Sequence, residues 1–187
     1  MFCFTKVAGI IFDLDDTLVH ANLDFKQMKQ EIGCDEAMDI LTYIEQIESC
    51  DEQENARQTV LRHELEDAHT SELITGALDF ILNAQQLGIP LAIVTRNCRE
   101  ASEIKIRNNN IPINLLITRE DARPKPHPEG LLKIAEGWQL PCQKVAYIGD
   151  YIYDIEAAHN ANMQAWLYKG SSKNKQYADN LSFVPKY

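Results

Sequence analysis

The feature that most constrains this chain is an unbroken apolar segment, residues 7–12, that leads directly into the acids Asp13, Asp15 and Asp16. A short run of this kind is typical of a parallel-sheet strand that is buried on both faces. Carboxylates are costly to bury and repel one another at short range. Because open α/β sheets bind ligands at the carboxyl ends of their strands, the segment predicts a buried strand with a cation site or a catalytic site at its end.

Beyond residue 76, strands and helices alternate along the chain. Apolar runs predict strands at residues 91–94, 115–117, 145–148 and 165–167, and the segments between them predict helices at about 77–87, 100–108, 128–138 and 152–161. This alternation is typical of an α/β fold with a doubly wound, Rossmann-like parallel sheet and right-handed connections. The polar segment 170–187 carries no clear pattern.

Between the first strand and this region, the sequence predicts a small, inserted α-helical cap. Its first helix has Asp24 as N-cap and ends at Gly33. Three apolar stripes recur at helical spacing: Phe25, Met28 and Ile32; Ala37, Ile40, Leu41, Ile44 and Ile47; and Ala56, Val60, Leu61, Leu65 and Ala68. We therefore expect a catalytic core at residues 1–18 and 77–187 and a helical cap at 19–76.

The net charge of −10 resides in one segment, because residues 20–75 hold 14 acids and 4 bases while the rest of the chain is balanced. An acidic lobe argues against a nucleic-acid partner, which needs clustered Lys and Arg. No apolar run approaches a membrane span, and the N-terminal residues lack a secretory pattern. Five scattered cysteines favour free thiols over disulfides or a zinc site. We expect a cytoplasmic protein without a membrane or nucleic-acid partner, and the oligomeric state stays open.

Two of the later predicted strands are followed by groups suited to an anion. The hydroxyl of Thr95, with the backbone N–H groups of Arg96 and Asn97, can donate to a phosphate oxygen. Lys125 lies between Pro124 and Pro126, which restrict the chain and lower the entropy cost of placing its ammonium group. A placed ammonium can neutralise both a phosphoryl oxygen and a carboxylate.

A third predicted strand, at residues 145–148, ends in Gly149-Asp150, with Asp154 one helical turn further along. Residues four apart on a helix are neighbours, so both carboxylates can approach one cation. A few oxygen ligands suit Mg²⁺, which keeps several waters and often a substrate phosphate in its shell. We therefore expect Mg²⁺ as the cofactor.

Asp13-x-Asp15-x-Thr17, Thr95, Lys125-Pro-x-Pro and Gly149-Asp-x-x-x-Asp154 occur in the order of the four motifs of the haloacid dehalogenase-like hydrolases, which this chain therefore resembles. A cap between the first two motifs is similar to the phosphoglycolate phosphatase-like group. The resemblance implies a magnesium-dependent phosphatase that acts through an aspartyl-phosphate on a small phosphorylated metabolite.

The resemblance also implies roles for these residues. Asp13 is the expected nucleophile and Asp15 the expected acid and then base, with Thr17 holding the turn through side-chain hydrogen bonds. Thr95, Arg96, Asn97 and Lys125 are the expected substrate-binding groups. The expected metal ligands are the carboxylates of Asp13 and Asp150 and the backbone carbonyl of Asp15, with Asp154 in support.

Some choices stay open at this level. A dehalogenase or a phosphomutase uses the same scaffold, and a non-catalytic Mg²⁺-binding module is a further alternative. Tyr151 stands where relatives often carry Ser or Thr, and Asn162 where they commonly carry Gly. The leaving group could be selected by Arg96 or by the few bases of the cap, Lys26, Lys29, Arg57 and Arg62.

Overall fold

A six-stranded parallel sheet forms the centre of the protein. The structure, a computed structural model, describes residues 2–168 and 179–181. The strand order in the sheet is β5-β4-β1-β6-β7-β8. The bounds of these strands are β1 Gly9–Phe12, β4 Leu91–Val94, β5 Leu115–Ile117, β6 Val145–Gly149, β7 Gln164–Tyr168 and β8 Asp179–Leu181. The predicted doubly wound parallel sheet is confirmed, with the fully buried β1 at an inner position.

Helices cover both faces of the sheet, because successive residues of a buried strand point to opposite sides. Ile10 and Phe12 of β1 face a cluster that includes helix α4 (Ala77–Gln86) and Ile106 of helix α5 (Arg99–Asn108). Ile11 faces the opposite cluster, which includes helices α6 (Glu129–Gly137) and α7 (Ile152–Asn160). Short 3-10 helices at Phe4–Lys6 and Cys142–Lys144 precede β1 and β6.

Three helices form the insertion after β1, as the stripes predict. They are α1 (Phe25–Ile32), α2 (Ile40–Gln46) and α3 (Cys50–Thr70). No pattern in the sequence predicted the short antiparallel ribbon of β2 (Val19–His20) and β3 (Glu72–Leu73), which closes the base of the insertion. The α1 ends are as expected, since Asp24 accepts from the Gln27 N–H and Gly33 adopts a left-handed conformation. The division into separate core and cap domains stays a prediction.

Helix α3 differs from the expected single apolar stripe. Ala56 and Val60 pack with Met28, Ile40 and Ile44 of the other two insertion helices. The last part of the stripe instead packs on α5 of the core, through Leu61, Leu65 and Ala68. Phe25, expected in the first stripe, is 58% exposed. One helix therefore joins the insertion to the sheet region.

The five cysteines are all unpaired, as expected. In the described part of the chain, no helix combines the length and apolar character that crossing a membrane requires. Strand β8 falls within the segment 170–187 that the sequence left unassigned, and residues 169–178 and 182–187 lie outside the described structure.

Candidate active site

The carboxyl ends of β1, β4 and β6 bring the predicted site residues to one edge of the sheet. Asp13 follows β1, and its N–H donates to the Ile148 carbonyl of β6 at 2.8 Å. Thr95 follows β4, and its N–H donates to the Ile117 carbonyl of β5 at 3.0 Å. The backbone pairing of the sheet therefore fixes where these side chains begin.

Lys125 lies between two of the predicted carboxylates. Its Nζ donates to Asp13 Oδ1 and to Asp154 Oδ1, each at 2.6 Å, and the lysine is only 5% exposed. Asp13, Asp150 and Asp154 each offer a carboxylate oxygen within 4.8 Å of the others. Predicted site residues from separate stretches of sequence thus meet in one place.

Burial is the main influence on the ionisation of this cluster. It raises the pKa of Asp13 well above the usual range, against the opposing charge of Lys125. Burial, with the charge of Asp154, raises the pKa of Asp150 to about 7. Burial lowers the pKa of Lys125, but the charges of Asp13 and Asp154 outweigh it and the net shift is upward. Three carboxylates against one ammonium leave an excess of negative charge, and the all-oxygen donor set fits a hard divalent cation such as Mg²⁺.

Two hydrogen bonds fix the carboxylate of Asp154, besides its contact with Lys125. Oδ1 accepts from the Tyr147 hydroxyl at 3.0 Å, and Oδ2 accepts from the Tyr151 N–H at 2.9 Å. A Cβ added to Gly149 would collide with the side chain of Asp154, so this position requires glycine. Asp154 therefore orients Lys125 and the first turn of α7.

Asp15 belongs to a second network that the sequence reasoning missed. Lys105 of α5, fully buried, forms ion pairs of 2.6 Å with both Asp15 and Asp67. Asn97 Nδ2 donates to Asp15 Oδ2 at 2.8 Å, and the Asn22 N–H donates to Asp67 Oδ1 at 2.6 Å. Only a weak pattern in the sequence indicates that Lys105 is buried: it lies four residues after Ala101, on the buried side of a short helix.

Two finer expectations differ from the structure. The Thr17 side chain does not close its turn: its hydroxyl is buried without a hydrogen-bond partner among the described residues, and backbone bonds close the turn. The Asn97 N–H, expected to face a phosphate, donates to Thr95 Oγ1 at 3.2 Å. Thr95 remains at the expected place and lines the cavity described next.

A cavity of about 510 Å³ lies between α1, α2 and the carboxyl ends of the strands. Arg96 lines it and donates to Asp39 Oδ2 at 2.6 Å and to the Lys125 carbonyl at 2.7 Å. Of the four predicted cap bases, Lys29 lines the cavity. The others pair with acids of the insertion: Lys26 with Glu36, Arg57 with Glu54, and Arg62 with Glu31 and Glu66.

The fold and the site together define a Rossmann-like α/β protein with a lysine-containing acidic site at the ends of its parallel strands. The chain belongs to the haloacid dehalogenase-like hydrolase family, which matches residues 10–167. The predicted family and fold class are confirmed.

Individual relatives agree with this assignment. A haloacid dehalogenase-like hydrolase domain-containing protein of Arabidopsis thaliana is 26% identical over 161 residues; the match covers 80% of this chain and spans 65% of the length of that relative. The pyrophosphatase PpaX of Bacillus velezensis is 25% identical, with 92% of this chain and 89% of that protein covered. The crystal structure of a predicted phosphoglycolate phosphatase from Haemophilus somnus superposes with a TM-score of 0.68 at 19% identity, covering 94% of this chain and 88% of that one.

Proposed function

We propose that this protein is a Mg²⁺-dependent phosphomonoester hydrolase that acts through an aspartyl-phosphate on a small phosphorylated metabolite. The observation that carries the proposal is the meeting of Asp13, Asp150 and Asp154 around Lys125 at the floor of one cavity. The names of the Bacillus relative, a pyrophosphatase, and of the Haemophilus structure, a predicted phosphoglycolate phosphatase, support chemistry at phosphorus.

Asp13, Asp150 and the backbone carbonyl of Asp15 would hold the cation, with Asp154 beside them. When bound, Mg²⁺ neutralises negative charge on the phosphoryl oxygens and on the carboxylates around them. The donor chemistry of the cluster fits this role, since Mg²⁺ takes few protein carboxylates and leaves room for water and phosphate.

Asp13 is the nucleophile of the proposed reaction. Among the described residues its carboxylate receives a hydrogen bond from Lys125 alone, which leaves its second oxygen free to attack phosphorus. The bond from phosphorus to the leaving oxygen breaks as the bond to Asp13 forms. Lys125, Thr95 and the backbone N–H of Arg96 donate to the phosphoryl oxygens and stabilise their charge.

Asp15 is the proton donor and acceptor of the proposed reaction. Its side chain lines the cavity, and the proposal requires it to leave its contacts with Lys105 and Asn97 and face the leaving group. It gives a proton to the leaving oxygen, and then takes a proton from the water that attacks the phospho-enzyme. The second step releases inorganic phosphate and restores the Asp13 carboxylate.

The test is Mg²⁺-dependent release of phosphate from p-nitrophenyl phosphate. Asp13→Asn should abolish turnover, and a chelator should abolish turnover in the wild type. Asp79→Asn is the matched control, because Asp79 is an exposed acid of α4 outside the cavity lining and should leave turnover within about threefold. Near-normal turnover of the Asp13→Asn variant would refute the nucleophile, and chelator-resistant turnover would refute the metal. Transfer of phosphate to a sugar hydroxyl instead of water would identify a mutase.

A further inference from the structure

Arg96 has the features of a group that can bind a second anion. Its side chain is 22% exposed and lines the cavity. The Lys125 carbonyl fixes one guanidinium nitrogen at 2.7 Å, and the Tyr153 ring lies 4.8 Å from the guanidinium carbon. These contacts hold the guanidinium plane, and they leave its charge to be met by a carboxylate or a phosphate.

That charge is met by Asp39, a residue of the insertion. Asp39 Oδ2 accepts from the second guanidinium nitrogen of Arg96 at 2.6 Å, and Asp39 itself lines the cavity. Its other oxygen, Oδ1, accepts from the Thr42 N–H and caps helix α2. The helix cap needs only one oxygen, so the contact with Arg96 can be broken without uncapping the helix.

Arg96 is also close to the phosphoryl site. The residue whose carbonyl it holds is the residue whose Nζ contacts Asp13, so one lysine separates the guanidinium from the nucleophile. Of the other cavity-lining bases, Lys125 is engaged by Asp13 and Asp154, and Lys29 Nζ donates to the Glu36 carbonyl. Among the described residues that line the cavity, Arg96 is the only arginine.

We infer that Arg96 binds an anionic group on the leaving side of the substrate, and that Asp39 occupies this position when the substrate is absent. The inference rests on the proposed phosphatase function and narrows it to phosphate esters or anhydrides whose leaving group carries a carboxylate or a phosphate. When the substrate anion displaces Asp39, the insertion loses its contact with Arg96 at the start of α2.

The experiment compares kcat/KM for 2-phosphoglycolate and ethyl phosphate, which differ in a terminal carboxylate against a methyl group, with Mg²⁺ present. The kcat/KM of the wild type should be at least about tenfold higher for 2-phosphoglycolate than for ethyl phosphate, which is the size of one charge-assisted contact. Arg96→Met should remove this preference. Loss of rate for both esters with the ratio unchanged would show that Arg96 only supports Lys125, and would overturn the inference.

Asp39→Ser tests the occupancy by Asp39. Serine keeps the helix cap but is too short to reach Arg96, so the KM for 2-phosphoglycolate should fall about two- to fivefold while that for ethyl phosphate stays constant. Asp24→Ser is the matched control, because Asp24 caps α1 in the same way and lies outside the cavity lining. An equal fall in KM with Asp24→Ser would indicate a general charge effect and would overturn the assignment of Asp39.

Pyrophosphate as a third substrate distinguishes the two anions. A larger Arg96 dependence with pyrophosphate assigns a phosphate to this position, and a larger one with 2-phosphoglycolate assigns a carboxylate. If the wild type hydrolyses all three substrates with equal kcat/KM, the inference fails and the proposed function stands. If it hydrolyses none of them and no aryl phosphate either, the proposed function fails and the inference fails with it.

Discussion

Two buried lysines of this protein have nearly the same first contacts and different surroundings. Lys125 and Lys105 each lie between two aspartates, with all four Nζ–Oδ distances at 2.6 Å. Lys125 faces the cavity beside Asp150. Lys105 lies at the junction of α3 and α5, where Leu61, Leu65, Ala68, Ala101 and Ile104 pack together.

The two sites differ in how many hydrogen-bond donors their carboxylates receive. At the Lys105 junction, Asn97 and the Asn22 N–H supply further donors, so Asp15 and Asp67 are each held from two sides. At Lys125, by contrast, Asp13 keeps an oxygen available and Asp150 adds uncompensated charge. Similar ion pairs therefore have different consequences: the pair at Lys105 joins two regions of the chain, and the pair at Lys125 leaves carboxylate oxygens available, as the proposed function requires.

The largest effect should come from Lys125→Met. We expect a fall in kcat of about 10²–10³-fold, because the ammonium that offsets charge on Asp13 and on the phosphoryl oxygens is lost. Steady-state phosphate release with Mg²⁺ measures it. Lys133→Met, which removes an exposed lysine of α6, should leave kcat unchanged. The comparison fails if Lys105→Met loses as much kcat as Lys125→Met while its free energy of unfolding is unchanged.

Lys105→Met should act mainly on stability. Removal of the ammonium leaves the buried carboxylate of Asp67 without its ion pair, while Asp15 keeps its hydrogen bond from Asn97, so the free energy of unfolding should fall by about 3–5 kcal/mol. Urea denaturation measures this. Adding Asp67→Asn removes the buried charge that lost its ion pair and should restore part of the loss. No recovery in the double variant would show that the junction depends on packing and not on the charges.

Gly149→Ala tests the packing around Asp154 without changing any charge of the Lys125 site. The new Cβ collides with the Asp154 carboxylate, which must move away from the Tyr151 N–H, so unfolding should become easier by about 1–3 kcal/mol. Gly137→Ala is the control, since among the described residues no atom outside its own helix turn lies within 4 Å of an added Cβ there. Equal thermal stability of the two variants would contradict the close approach of Asp154.

The smallest expected effect is a change in the labelling rate of Cys98, which is buried in the cluster at the Lys105 junction. Burial, with the charge of Glu64, raises the pKa of the Cys98 thiol to about 12, so at pH 8 roughly one molecule in ten thousand carries the reactive thiolate. Iodoacetamide should label exposed Cys50 quickly and Cys98 slowly, as followed by mass spectrometry. Labelling of Cys98 should accelerate in Lys105→Met and not in Lys133→Met.

The same thiol gives a pH dependence. Because its pKa is higher in the folded protein than the ordinary value of 9.0, Cys98 contributes stability below pH 9 that is lost as the pH rises towards 12. Cys98→Ala should flatten this part of the stability profile. An unchanged profile would show that the thiol is not in a buried environment.

The residues of the Lys125 site could be predicted because each stands at a position that local sequence marks. Asp13, Thr95 and Asp150 follow apolar strands, and prolines flank Lys125. Parallel strands place their carboxyl ends at one edge, so the convergence follows from the fold class. The assigned roles of these residues stay predictions until activity is measured.

The Lys105 junction could not be predicted, because its partners come from an insertion helix, a core helix and the end of β1. In sequence, Asp67 is one of many acids in a strongly acidic segment, where most charges are solvated. The pairing of Arg96 with Asp39 was hidden for the same reason. The split of the α3 stripe between two clusters depends on how far the helix extends past its neighbours, which periodicity does not encode.

Local sequence patterns were sufficient for five of the six strands of the parallel sheet, its helices and the chemical groups at the strand ends, because the burial of strands and helix faces repeats regularly along the chain. The hydrogen-bond donors that hold each acid became visible only in the folded chain. Asp15 is held by Lys105, Asp154 by Tyr147 and Tyr151, and Asp39 meets Arg96. The reason is physical. Distance and burial in three dimensions select the partner of a charged side chain, and the local sequence around that side chain does not identify a partner far away in the chain.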